Sequence, residues 1–136
     1  MSTDVDRSKS LEQLFGRWPE TEDPTHLVRS VHRARQCPLN ELDAEQVRVL
    51  LSQEVDVEAV MPLALEMLAR DPMLEGDYYP GAVLKAALTQ QHDYWQAHPA
   101  QKNALLEVCE QLDETEDVHE AINVERRRLV LELRSL

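Results

Sequence analysis

Apolar residues recur along this chain at spacings of three and four, and strict alternation of apolar with polar positions is nearly absent. That period belongs to helices packed on one face, so the pattern predicts an all-α protein. The two β-branched runs, Val47 to Leu51 and Leu129 to Leu133, both sit inside longer stretches of helical spacing. Ser8 or Ser10 can cap a first short helix with Leu11, Leu14 and Phe15 on one face and Gly16 as its stop. Asp23-Pro24 reads as a cap followed by a first-turn proline, opening a helix to about Gln36 with Leu27, Val28, Val31 and Ala34 inward, which Pro38 closes. Asp43 and Gln46 are spaced as a capping box ahead of Val47, Leu50 and Leu51, and Asp56 stands where it can cap the next helix.

From Val57 to Ala69 the helix is apolar around most of its circumference, which places it in the middle of a bundle. Pro62, near its start, either marks a restart or forces a kink. Short helices follow at Ala82 to Leu88 and Gln91 to Ala97, the latter carrying Tyr94 and Trp95. Pro99 opens a helix to about Leu112 with Leu105, Leu106, Cys109 and Leu112 as its stripe. A last helix from about Asp117 to Arg134 aligns Val118, Ile122, Leu129, Leu133 and Leu136. The expectation is one all-α domain over residues 1–136, a globular bundle of about seven or eight short helices around Val57 to Ala69, with 99–136 packed on the rest. The acidic segment Asp113 to Glu120 lacks the glycine and serine of a flexible spacer and reads as a turn. The terminal stripe suits packing on its own domain better than on a second copy, so a monomer is expected over a homodimer.

Charge narrows the partners. Twenty-six acids against fourteen bases leave a formal charge of −12, which opposes a polyphosphate and favours a basic protein. Nucleic acid is therefore not an expected ligand, and Val57 to Ala69, without arginine or lysine, cannot serve as a recognition helix. The longest nearly apolar stretch, Val57 to Leu68, is interrupted by Glu58, Pro62 and Glu66 and is too short to cross a bilayer. Met-Ser-Thr-Asp-Val-Asp at the start lacks the basic residues and apolar run of an export signal, so the expected compartment is the cytoplasm. There Cys37 and Cys109 read as reduced thiols serving as small buried hydrophobes.

Catalytic chemistry is thin. His26, His32, His92, His98 and His119 are scattered, and only His119, inside Glu116-Asp-Val-His-Glu120, is surrounded by carboxylates. That arrangement reads as a surface ion pair before a metal site, and His32 as a structural hydrogen-bonding group beside the core. Glycine-rich phosphate loops and strand-to-helix nucleophile elbows are missing, so neither an enzyme, a metal nor a cofactor is expected.

The densest local information lies in Asp71 to Gly81, with two of the three glycines, two of the seven prolines and two of the six aromatics. Residues that set φ or tolerate positive φ give such a segment one specific path, and loops so shaped commonly carry function. Tyr78 and Tyr79 are the leading partner-binding candidates, one ring packing under the loop and one facing out. Glu75 and Asp77 flank them with negative charge suited to arginine or lysine; alternatively Asp77 caps the following helix or bonds within the loop. Glu20 to Asp23, and Asp113 to Asp117 with Glu120, are further acidic surfaces, although a helix dipole alone accounts for Glu116 and Asp117.

Glu75-Gly-Asp-Tyr-Tyr-Pro-Gly81, followed by Leu84 and Leu88, resembles the signature of small immunity proteins from bacterial contact-dependent growth inhibition (CDI) systems. The likeness continues through Leu27-Val28, His32, Pro38-Leu39, Leu42, Arg48, Gln53, Pro62 to Glu66, Pro72 and Trp95, covering roughly Leu11 to Trp95. After Gly81 the family typically has an acidic residue, where this chain has Ala82. The resemblance implies a cytoplasmic protein that binds the carboxy-terminal toxin domain delivered by a neighbouring cell, often a nuclease. An acidic helical adaptor or regulatory subunit with another basic partner is the alternative, and a toxin gene alongside would separate the two.

Overall fold

Reciprocal caps start the helices much where the spacing places them. In a computed structural model of the chain, which describes residues 5–19, 22, 24–74, 82–113, 130–132, 134 and 135, helix α1 spans Leu11–Phe15. Ser10 Oγ accepts the Gln13 N–H at 3.1 Å while Gln13 Oε1 accepts the Ser10 N–H at 2.8 Å, and Gly16 ends the helix at a φ of 103°. Asp43 and Gln46 make the same exchange, at 2.8 and 3.0 Å, ahead of α3, Ala44–Ser52. Helix α2, His26–Gln36, starts two residues later than Asp23-Pro24 suggests, because Thr25 Oγ1 accepts the Val28 N–H at 3.2 Å and so makes Thr25 the cap. After α2, Leu39–Glu41 forms a 3-10 turn, and Ser10 pairs with Pro38 in an isolated antiparallel bridge; among the described residues there is no strand.

The central helix is where its composition places it. Helix α4, Val57–Arg70, runs unbroken through Pro62, buries Ala59, Val60, Met61, Leu63, Ala64, Leu65 and Leu68, and packs against α3, α5 and α7. The missing proline N–H costs it the bond to the Glu58 carbonyl but does not divide the helix. Helix α5, Ala82–Leu88, lies on α3 and α4. Gln90 joins α3 to α5 by donating from Nε2 to the Leu51 carbonyl at 2.8 Å and the Ala86 carbonyl at 3.0 Å, satisfying a late carbonyl of α3 inside the core. Helix α6, His92–Ala97, buries Trp95, and α7, Pro99–Asp113, packs on α4 and α6. On α7 the buried stripe is Leu105, Val108 and Cys109, with Leu106 only partly covered; the Leu112 side chain lies outside what is described.

Of the last predicted helix, Val118, Ile122, Leu129, Leu133 and Leu136 lie outside the described residues. At its end Val130 joins the core while Leu131 is exposed. Pairs from Glu132 to His92 Nε2 and from Arg134 to Glu110, each at 3.6 Å, set this end beside α6 and α7.

The turn from α3 to α4 stores strain. Val55 N–H bonds the Leu50 carbonyl at 2.9 Å and Glu54 N–H the Leu51 carbonyl at 3.1 Å, the paired bonds of a Schellman motif, with Glu54 at a φ of 55°. Glycine is the residue that usually occupies this position, since a Cβ in left-handed backbone is penalised. Glu54→Gly is expected to stabilise the protein by about 1 kcal/mol, read as a thermal midpoint roughly 3 to 5 °C higher. An unchanged or lower midpoint would show the strain to be relieved elsewhere.

Candidate functional site

The four residues that the sequence offers for partner binding, Glu75, Asp77, Tyr78 and Tyr79, lie outside the described residues, as do Glu20, Asp23, His119 and the acidic run from 114 to 120. The described residues assemble a different surface, on α2 and the turns facing it. After Gly16 the chain leaves α1 and lays Trp18 over Arg35, whose Cζ sits 4.3 Å from the ring centroid, a cation–π geometry. Arg35 is 2% exposed, and its Nε donates to Asp56 Oδ2 at 3.0 Å. Asp56, expected to cap α4, therefore commits its carboxylate to Arg35; it makes no side-chain cap, and its backbone is left-handed at a φ of 47°. His32, expected beside the core, meets the Trp18 ring edge to face at 6.0 Å.

These contacts frame a groove of about 480 Å³ lined by Trp18, Pro19, Leu27, Val28, Val31, His32, Gln53 and Val55. Phe15 and Leu27, both expected inward, are 55% and 43% exposed. Each lies one turn away from a buried residue of its own helix, Leu11 or Val31, but at that helix's end, Phe15 closing α1 and Leu27 in the first turn of α2. Trp18 is 39% exposed, so three of the four exposed large apolar side chains among the described residues fall between positions 15 and 27. Groupings of this kind on a soluble protein mark interaction sites. The hydrophobic period missed it because exposure of Leu27 depends on what faces it, and Trp18 lies outside any helix.

A second polar cluster is structural. Tyr94 donates a short hydrogen bond to Gln101 Oε1 and stacks on His98 at 4.4 Å, and His98 Nε2 lies 3.4 Å from Glu58 Oε1, fastening the α6–α7 junction to the start of α4. Burial first, and then the Glu58 charge, raise the Tyr94 phenol above its ordinary 10.0. In the unfolded chain that phenol ionises near 10, so the stability it contributes is complete below that pH and is lost as pH climbs past it toward the folded value. Urea midpoints measured from pH 8 to 11 are expected to fall less steeply for Tyr94→Phe than for wild type; parallel curves would remove Tyr94 from the alkaline transition.

Cys37 and Cys109 form no disulfide; Cys109 is buried and Cys37 half-buried. Burial, with Glu41 and Asp43 nearby, raises the Cys37 thiol, which keeps it protonated at neutral pH. Among the described residues no group of histidine, cysteine and carboxylates is placed to hold a metal, and no helix is long and apolar enough to cross a membrane.

A family model described as CDI immunity proteins matches residues 14–105. The chain belongs to this family. The matched part of this CDI immunity protein begins in α1, contains the groove and residues 75–81, and ends in α7. No curated protein matches the chain. Four residues through which the likeness runs in the sequence, Leu27, Val28, His32 and Gln53, are groove-lining residues of the immunity protein.

Proposed function

We propose that this protein binds the carboxy-terminal toxin domain of its own CDI system in the cytoplasm and neutralises it by occupancy, performing no reaction itself. The observation that carries the reading is the family match over residues 14–105. The formal charge of −12 supports a basic partner and an electrostatically steered encounter. A nuclease is the toxin this charge suits best. Its phosphate-binding cleft must be positive, and an acidic protein enters such a cleft by the field that attracts substrate. Glu75, Asp77, Tyr78 and Tyr79 are proposed as contacts, two charges for basic side chains and two rings for burial. The protein acts as a monomer, with residues 99–136 packed on the rest of the single domain.

The test is co-expression with the toxin domain encoded beside it. Cells carrying both are expected to grow, cells carrying the toxin alone to stop, and the purified pair to form a one-to-one complex. A protein that neither protects nor binds any adjacent toxin domain refutes the reading.

A further inference from the structure

We infer that the groove between Trp18 and Val55 is an anchor site on the immunity protein, taking one apolar side chain of the toxin while Glu54 pairs with a lysine or arginine beside it. The inference rests on the toxin-binding function proposed above and assigns the site and the chemistry of what enters it.

Three observations converge. The groove is apolar along Leu27, Val28, Val31 and Val55 and is walled by an exposed tryptophan, the form of pocket that receives hot-spot side chains. Its wall rests on a buried charge: Arg35, 2% exposed, lies against the Trp18 ring, and its partner Asp56 has left-handed backbone. An apolar residue at position 35 would fill the same space without the desolvation of a guanidinium, so the ion pair is better explained by a rigid Trp18 than by stability. The third observation sets the charge of the occupant. Glu54 stands between two lining residues, Gln53 and Val55; it is exposed, lacks an ion pair among the described residues, and occupies a backbone position that suits glycine. Strain retained at an exposed residue beside a pocket points to a use for its side chain, and a carboxylate there attracts a cation. With Arg35 neutralised by Asp56 beneath the wall, Glu54 is the charge this turn leaves for a partner. A basic toxin presenting an apolar residue next to a lysine or arginine matches both halves of the site.

The test uses the full chain and the adjacent toxin domain, with binding followed by interferometry and folding by circular dichroism and melting. Leu27→Asp changes a groove residue that is already largely exposed and is expected to weaken binding tenfold or more with helix content kept. Glu54→Gly is the sharper variant: it is expected to melt higher than wild type yet bind the toxin about fivefold more weakly, a combination that a purely structural role for Glu54 does not produce. Gln53→Arg, on the exposed rim, repels the proposed cation and serves in place of Leu27→Asp if that variant misfolds. If wild type and all folded variants bind equally, the groove is outside the interface and the inference is overturned while the immunity function stands. If Leu27→Asp alters only the oligomeric state in light scattering, the occupant is a second copy of this chain and the inference is likewise overturned. If wild type binds no adjacent toxin domain, the functional reading fails and the inference with it.

Discussion

Asp56→Ala is expected to lower stability by about 3 kcal/mol. The carboxylate is only 22% exposed and is the partner of Arg35, itself 2% exposed. Removing it strands a buried guanidinium, and an uncompensated buried charge costs roughly 3 to 5 kcal/mol. The residual exposure of Asp56 places the loss at the lower end. Backbone strain gives the prediction a second arm. Because residue 56 has a φ of 47°, Asp56→Gly removes the same carboxylate but relieves left-handed backbone, which returns about 1 kcal/mol. The glycine variant should therefore be the more stable of the two, by an amount like that gained in Glu54→Gly, where no buried partner is lost. Urea denaturation of the four proteins decides: Asp56→Ala within about 0.5 kcal/mol of wild type would show that Arg35 finds another partner. Fluorescence of Trp18, stacked on Arg35, should change in both Asp56 variants and not in Glu54→Gly.

The contrast between these two turn residues also shows what the sequence could reveal. Local rules that depend on a few neighbours were legible: Ser10 as one of two candidate caps, Asp43 with Gln46, Gly16 as a stop, and the all-round apolar helix that becomes α4. What depends on a residue far along the chain was not. Asp56 has the sequence position of a cap, and only the approach of Arg35, twenty-one positions earlier, withdraws its carboxylate from that role. Glu54 carries no sign of left-handed backbone, because the conformation is imposed by two bonds closing the end of α3 rather than by the residue itself. The groove shares this origin. Leu27 falls on the helical period and reads as core, yet the period says only which face it occupies and not whether another element covers that face. The segment 75–81 was legible as a candidate for the converse reason, since its glycines, proline and tyrosines are unusual by themselves.

Reversing charge in that segment, with Glu75→Lys and Asp77→Lys together, is expected to slow association with the toxin domain about tenfold while leaving helix content intact. Long-range attraction between an acidic protein and a basic one acts mainly on the encounter rate, whereas a charge buried in the finished complex also controls dissociation. The two contributions separate with salt. Raising ionic strength from about 0.1 to 1 M shortens the screening length from roughly 10 to 3 Å, so the wild-type association rate should fall steeply and the double variant, having less attraction to lose, should fall less. A matched control is needed because any reversal of two acids weakens the overall field. Glu41→Lys with Glu107→Lys makes the same change in net charge at exposed positions on the 3-10 turn and on α7. If Glu75 and Asp77 touch the toxin, their reversal slows binding several times more than the control and also speeds dissociation. If both double variants slow association alike and leave dissociation unchanged, charge steers the encounter but residues 75–81 lie outside the interface. A wild-type rate insensitive to salt would remove electrostatic steering altogether and leave the apolar groove beneath Trp18 to account for binding.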